Sequence, residues 1–497
     1  MQIPQILHSI SSVLQTHGAR AVLVGGAVRD AVMNLPVKDY DIEVYGIADF
    51  EALAQLLEPF GRVNTVGKSF GVLKLCIGGE VYDFALPRTE RKTGTGHRGF
   101  EVTVDGSLDF ATAAKRRDFT VNALGFDIQS DEIIDPFGGM DDMGKKILRH
   151  IDDATFAEDP LRVYRAVQFA ARFDMQVAEE TAMLCRRMVA ARALDELPRE
   201  RVYEEWKKLL LKAYRPSKGF ELMHEWGITK KYFPELHALS RVPQNPKWHP
   251  EGDVWVHTML SIDAMRKLIE DALALDSERV SFPEKKQLKL MFAALCHDFG
   301  KPLTTSIEYD NGEVISWEAY RHTIVSQETK TGMPYSVRAL GHEEAGLEPT
   351  RNLMYRLTDE HDFIESILPL VAHHLKPSQF YKQGAKAPAV RRLAVKVNIE
   401  ELVLVAKADF LGRTTPEAKT GRYAAGEWLL EKAKALKVWN KPMNKLVQGR
   451  DLIALGMKPS PEFGKILNEV YEKQLDGEIA SKEDAEAYIR EEFQHND

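Results

Sequence analysis

The apolar pattern changes character once along the chain, and that change constrains the fold more than any other feature. Up to about residue 150, short apolar runs end in glycine turns. Ala21-Val22-Leu23-Val24 stops at Gly25-Gly26, and the stretches 41–45 and 71–77 alternate or run apolar as strands do. Helical spacing lies between them, near 27–34 and 49–57. The pattern predicts an α/β region with a mixed sheet. From Asp159 to about residue 240, Leu161, Tyr164, Val167, Gln168 and Ala171 follow i, i+3, i+4 spacing, and strand signals cease. Three prolines in the nine residues 242–250 then break any helix. A histidine-bearing helical region follows to about 413, with an excursion rich in Gly, Thr and Glu at 304–350. A charged helical tail occupies 416–497. The expected divisions are 1–150, 151–245, 246–415 and 416–497.

Composition excludes several classes. Sixty-six Lys and Arg against 74 Asp and Glu give a formal net charge of −8, which excludes a bulk polycation but not a local basic groove. Cys76, Cys185 and Cys296 form no CxxC pair, which excludes a disulfide scaffold or thiolate zinc finger and predicts a reducing cytoplasm. No apolar run approaches the ~18 residues of a membrane span, and Met1–Gln5 lacks the basic start of a signal peptide.

Three segments of the α/β region carry chemistry. In Val24-Gly25-Gly26-Ala27-Val28-Arg29-Asp30 a strand gives way to a helix through two glycines. Such a turn lets backbone N–H groups approach a phosphate, and it also occurs as a plain tight turn. In Lys38-Asp39-Tyr40-Asp41-Ile42-Glu43, Asp39, Asp41 and Glu43 fall on one face of a strand. Carboxylates so placed can share divalent cations, and hard Mg2+ suits oxygen ligands; a solvated strand face has the same pattern. Lys115-Arg116-Arg117, before an apolar segment, can clamp a polyphosphate or form an exposed basic patch.

The ordered set of these three, with Arg-Thr-Glu-Arg-Lys-Thr-Gly-Thr-Gly at 88–96 and Asp118-Phe119-Thr120-Val121-Asn122-Ala123, resembles the class II tRNA nucleotidyltransferases. These are polymerase-β-like enzymes that include CCA-adding enzymes and bacterial poly(A) polymerases. The resemblance implies a nucleotidyltransferase head at 1–150 with Mg2+ on catalytic Asp39 and Asp41. It implies nucleotide contacts from Gly26, Arg29 and Arg117, and makes Asp83 a candidate third carboxylate.

Glu158-Asp159-Pro160-Leu161-Arg162-Val163-Tyr164-Arg165 begins a helix. Asp159 and Arg162 are spaced to share a face, with Asp159 as cap, and Arg165 continues it. A carboxylate accepts hydrogen bonds and a guanidinium donates them. Cytosine and adenine offer a donor beside an acceptor on the pairing edge; uracil and guanine do not. A helix cap with a simple ion pair fits the same spacing. The segment resembles the amino-acid template of class II enzymes, which implies base reading by Asp159 and Arg162 and a nucleotide contact at Arg165. The Gly-rich loop 88–99 is the expected lever for a switch from C to A and favours terminal A addition.

Later come His257, His297-Asp298, His342, His373-His374 and Asp409 on apolar helices, with Gly300 and Pro302 as stop signals after the His-Asp pair. Imidazole and carboxylate together bind transition-type divalent metals. The series resembles the HD phosphohydrolases, which implies His257, His297, Asp298 and Asp409 as ligands of a second metal such as Ni2+. His342 and one of His373 or His374 would add to the set. Lys247-Trp248-His249-Pro250-Glu251 resembles the HD-bearing, multifunctional bacterial CCA-adding subgroup. The resemblance fades in the tail.

The expectation is thus an enzyme with a polymerase-β-like head of mixed sheet, followed by all-α domains: a base-selecting, RNA-binding neck, an HD domain and a tail. Its partners would be tRNA, CTP and ATP, without a membrane. The expected reaction adds or repairs the 3′-terminal CCA, with phosphohydrolase activity in the HD domain. Lys207, Lys208, Lys212 and Arg215 are candidate tRNA contacts, equally readable as a solvated helix face. The alternatives are A-only addition or poly(A) synthesis, and a metal phosphohydrolase with a nucleotide-binding head. A protein-modifying nucleotidyltransferase fused to HD is disfavoured by the segment 158–162.

Overall fold

The computed structural model describes residues 1–64, 71–92, 94, 100–275, 282–309, 311–320 and 335–493. The expected lever loop falls outside them at residues 93 and 95–99. The chain divides into two compact units, Met1–Lys231 and Tyr232–Asp497.

The first unit is built on a seven-stranded sheet in the order β3-β4-β5-β2-β1-β8-β9. These strands are β1 (Arg20–Val24), β2 (Tyr40–Tyr45), β3 (Arg62–Asn64), β4 (Val72–Ile77), β5 (Glu80–Ala85), β8 (Gly125–Asp127) and β9 (Glu132–Ile134). The sheet is mixed, as expected: β2 runs parallel to β5 and the other pairings are antiparallel. Strands β6 (Arg88–Lys92) and β7 (Phe100–Val104) form a separate hairpin. Leu23, Ile42, Val44, Leu73, Leu75 and Phe84 point into one core. The helix Gln5–Thr16 covers that core with Leu7, Ile10 and Leu14, the i, i+3, i+4 stripe of an amphipathic helix. Asp49 caps the helix Phe50–Leu57 by accepting from the Ala52 N–H at 2.9 Å.

Beyond the sheet, Ile147–Leu148 (β10) and Gln176–Val177 (β11) pair in parallel. From residue 178 to the end of this unit, its regular elements are helices. Leu161–Arg172 is buried on most of its circumference and packs with Arg199–Lys212 and Pro216–Glu225.

In the second unit the helices Val254–Leu275, Glu284–Cys296, His361–His373 and Ile399–Gly412 pack together. Among the described residues this unit is helical apart from the excursion, which holds a three-stranded antiparallel sheet in the order β13-β12-β14. Its strands are β12 (Thr305–Tyr309), β13 (Val314–Ser316) and β14 (Tyr335–Ala339). Among the described residues its buried apolar positions are isolated ones, Ile307 and Val337, so the apolar signal stays below what a sequence pattern detects. Pro302 does not mark a stop; it sits in the first turn of a short helix, Lys301–Thr304, as its fixed φ suits. The tail helices Gly449–Ala454, Glu462–Asp476 and Lys482–Phe493 gather a small core around Leu452, Ile466, Val470 and Ile489. Among the described residues no helix is long and apolar enough to cross a membrane.

Candidate active site and metal centre

In the first unit, β1 ends at Gly25, whose φ of 69° lies where glycine is favoured. A Cβ at Gly25 would come within 2.8 Å of the Arg117 guanidinium. Asp39 precedes β2 and is exposed. Asp41 is on β2, and the parallel register sets it beside Asp83 on β5. Glu43, two residues on, is buried and gathers three donors. Arg116 donates at 2.7 Å, Arg117 at 3.0 Å and the Tyr45 hydroxyl at 2.8 Å. Asp41, Glu43, Asp83, Arg88, Arg116 and Arg117 line a cavity of about 230 Å3.

The electrostatics divide these carboxyls. Burial pushes Glu43 up, but Arg117, Arg116 and Tyr45 outweigh it and hold the carboxyl below its usual range. Asp41 remains accessible at the cavity mouth, where partial desolvation raises its pKa. Arg117 opposes the rise, and Asp83, Asp39 and Glu43 add to it. A carboxylate among like charges is stabilised by a divalent cation, and the parallel register puts Asp41 beside Asp83, with Asp39 adding to the like charge around it. Asp83 is partly satisfied already: Lys74 donates to both of its oxygens, at 2.8 and 2.7 Å.

Two expected residues are placed differently. Lys115 pairs with Asp152 at 3.3 Å, so Arg116 and Arg117 alone of the triplet line the cavity. Arg29 is buried, with its guanidinium carbon 5.2 and 4.7 Å from the Phe169 and Phe173 ring centroids. It donates to Asn122 at 2.6 Å and to Asp30 at 2.8 Å. Asn122 in turn donates to Asp118 at 2.9 Å, and Arg165 donates to the other Asp118 oxygen at 2.6 Å. Arg29 and Arg165 are therefore two ends of one buried polar chain, which ties the helix Gly26–Val32 to Leu161–Arg172.

The Asp159–Arg162 reading needs correction in its geometry. Pro160, not Asp159, is the helix N-cap, and Asp159 keeps an extended backbone. The ion partner found for Asp159 is Arg201, at 3.0 Å, and its carboxylate also accepts from the Leu161 N–H at 3.1 Å. Arg162 donates to the Thr155 and Arg116 carbonyls, at 2.5 Å each. Sequence spacing could not show Arg201, which arrives from a helix 42 positions away. Lys207 and Lys208 pair with Glu204 and Glu205 on their own helix, at 2.5 and 2.8 Å, and Glu205 is buried, so this face is not simply a solvated one.

The second unit brings its expected residues together. His257 Nε2 lies 3.1 Å from Asp409 Oδ1 and 3.4 Å from His297 Nε2. Asp298 lies 3.2 Å from His297 Nε2 and 3.4 Å from His342 Nε2. His342 Nε2 is 3.3 Å from His374 Nε2, so His374 rather than His373 enters the cluster. All six residues are buried.

The outer ring nitrogens fix the orientation of the imidazoles. His297, His342 and His374 turn Nδ1 to the carbonyls of Ala294, Ala339 and Val371, at 2.8, 2.7 and 2.7 Å. His257 turns Nδ1 to Glu251 at 2.8 Å. With Nδ1–H donating outward, each Nε2 lone pair faces inward, the tautomer of a metal ligand. Nitrogen lone pairs 3.3–3.4 Å apart beside two carboxylates suit a shared cation, and this mix of imidazole and carboxylate donors fits a transition-type divalent metal. Burial lowers His297, but Asp298 outweighs it and holds its pKa above the usual value. Burial, with His297 and His342 as neighbours, pushes His374 down to about 3.

Glu251, His249, Lys301 and Arg413 complete the surroundings and carried no assigned role in the sequence reading. Glu251 accepts from both His249 and His257, at 2.9 and 2.8 Å. Lys301 lies 2.7 Å from Asp298, and Arg413 donates to Asp409 at 3.0 Å. The compact segment 247–251 beside His257 was the available signal for Glu251.

Comparison with known proteins agrees with this architecture. The family described as "Poly A polymerase head domain" matches residues 21–149. "Probable RNA and SrmB- binding site of polymerase A" matches 174–239, and "HD domain" matches 257–413. Head, RNA-binding segment and HD domain in that order define a polymerase-type nucleotidyltransferase with an HD domain, and both kinds of domain use divalent metals. A multifunctional CCA protein of Methylobacillus flagellatus is 36% identical over 403 residues, 80% of this chain and 84% of that one. Another, of Nitrosococcus oceani, is 34% identical over 400 residues, 79% and 84%. The chain belongs to the multifunctional CCA protein family. In fold it is similar to the Bacillus stearothermophilus CCA-adding enzyme in complex with CTP, with TM-score 0.64, 19% identity and coverage of 99% and 98%. The Thermotoga maritima CCA-adding enzyme complexed with tRNA gives TM-score 0.56, 20% identity and coverage of 98% and 95%.

Proposed function

We propose that this chain adds or repairs the 3′-terminal CCA of tRNA, taking CTP and ATP as donors without a nucleic-acid template. One observation carries the reading: in a chain of this family, Asp41 stands beside Asp83 over a cavity whose basic wall is two arginines fixed on Glu43. The tRNA 3′-oxygen bonds to the α-phosphorus of the nucleotide, the bond to the β-phosphate oxygen breaks, and pyrophosphate leaves. Asp39 and Asp41 are the residues that would hold Mg2+. When bound, Mg2+ supplies a lowered pKa for the attacking hydroxyl and charge neutralisation for pyrophosphate.

Arg117, with the N–H groups around Gly26, binds the triphosphate, and Arg29 and Arg165 brace that cradle through Asn122 and Asp118 while contacting the nucleotide. Asp159 and Arg162 read the base; both exchange their present partners, Arg201 and the two carbonyls, when they do so. The head ends near 150, the neck near 245 and the HD domain near 415. The neck and tail serve the tRNA body, with Lys207, Lys208, Lys212 and Arg215 at its phosphates.

His257, His297, Asp298 and Asp409, with His342 and His374, would hold the second metal, such as Ni2+, and give a phosphohydrolase. The unpaired cysteines suit the cytoplasm.

Extension of three tRNAs ending before C, between the two C residues and before A tests the assignment. Labelled C must enter the first two and A the third. Absence of C incorporation overturns the reading in favour of an A-adding enzyme.

A further inference from the structure

The excursion is strung between two residues of the metal centre. Strand β12 leaves directly from Lys301–Thr304, and Lys301 lies against Asp298. Strand β14 ends at Ala339, whose carbonyl accepts from His342 Nδ1 at 2.7 Å. The same strand puts Val337, Arg338 and Ala339 on the wall of a cavity of about 350 Å3, which Asp298, His342, His374 and Asp409 also line. Arg338 pairs with Glu308 at 3.0 Å and stays 58% accessible.

Trp248 lines this cavity too, with half its surface open to solvent. The Lys247 and Lys382 ammonium groups stand 5.2 and 5.5 Å from its ring centroid. An accessible indole in a concave site, flanked by cations and backed by a buried imidazole–carboxylate cluster, is complementary to a planar aromatic ring that carries phosphate. The volume suits a mononucleotide or a single chain end and is too small for a duplex.

We propose that the inserted sheet and Trp248 form a selecting subsite of the HD cavity for a nucleoside phosphate: Trp248 stacks the base, and Arg338 with Lys382 takes phosphate charge. Trp248 and Arg338 are positioning residues, and the proposal rests on the HD phosphohydrolase reading given above. The inserted sheet does two jobs at once, since it orients His342 and supplies Arg338.

Calorimetric titration in EDTA with AMP, ribose 5-phosphate and inorganic phosphate tests the subsite. An Arg117→Ala background removes any share of the head. Trp248→Ala should weaken AMP about tenfold, the scale of one base stacked on an aromatic ring, and leave ribose 5-phosphate unchanged. Trp248→Phe should restore most of the loss. Arg338→Ala should weaken all three probes a few-fold. The CTP incorporation rate of Trp248→Ala and Arg338→Ala in the native head should match the parent.

Equal AMP affinity in Trp248→Ala and its parent, or equal affinity of the parent for AMP and ribose 5-phosphate, overturns the subsite. Failure of the underlying reading looks different. If the Ni2+-loaded protein hydrolyses no phosphate ester while Trp248 still governs AMP affinity, the hydrolase reading falls and the subsite stands. If hydrolysis occurs but Trp248→Ala binds AMP as its parent does, the subsite falls and the hydrolase reading stands.

Discussion

The two acidic centres of this protein carry their charge in opposite ways. In the first unit Asp39 and Asp41 are exposed, and Asp83 shares its charge with Lys74. In the second unit Asp298 and Asp409 are buried among four imidazoles, and burial alone would push both carboxyls up. They are held well below the usual range instead, Asp298 by His297 and Lys301, and Asp409 by Arg413 and His257. An open carboxylate pair keeps its hydration until cation and substrate arrive. A closed cluster has already lost its water, so the cation replaces solvation and contributes to folding stability. Chelation should therefore stop nucleotide addition with little loss of stability in the first unit, and lower the thermal transition of the second.

Substitutions sharpen this contrast. Asp41→Ala should cut nucleotide addition about 10^3-fold, about 4 kcal/mol of transition-state stabilisation, because charge stabilisation at a metal site is worth several kcal/mol. Its circular dichroism melt should match the parent; a large loss of stability would show that Asp41 is structural and the open-site view wrong.

Asp118→Asn comes next. Removing the charge that faces buried Arg165 should cost about 3 kcal/mol in urea unfolding. Arg165, Asn122 and Arg162 outweigh burial and hold Asp118 below its usual pKa. Since the folded value is the lower one, this stabilisation is present above the unfolded value of about 4 and is lost as pH falls through the folded value. The variant should therefore lose part of the acid limb of the pH–stability curve, and an unchanged limb would refute the assignment.

Gly300→Ala should cost about 2 kcal/mol, the scale of overpacking, since its Cβ would stand 2.0 Å from the His342 carbonyl oxygen. The cost should appear in the second unit, with CTP incorporation untouched. Asp298→Asn should lower metal content at least tenfold, about 1.4 kcal/mol, measured by elemental analysis after dialysis. Retention of full metal would break the ligand assignment.

Much of this was legible in the sequence because local rules and global fold agree there. Val24-Gly25-Gly26 marks the strand-to-helix turn, Asp41 falls on a strand beside Asp83, and the HD residues stand at helix ends or on apolar helices. What stayed hidden depended on partners distant in sequence. Arg201 takes Asp159 from the next helix but one, and Arg29 turns inward because Asn122, Phe169 and Phe173 enclose it. His373 and His374 are indistinguishable by spacing until the helix end decides which ring faces His342. The sheet of the excursion escaped notice because its few buried positions are separated by polar ones.

The knot of Glu43 with Arg116 and Arg117 bears on turnover. Two guanidinium groups bound to one carboxylate leave that knot with a single surplus positive charge on the cavity wall. A bare arginine pair would grip the liberated diphosphate as firmly as the incoming donor, and tight holding of both ends of a reaction does not speed it. An enzyme that must empty its cradle after each of several successive additions gains from a cradle whose charge is half spent in advance.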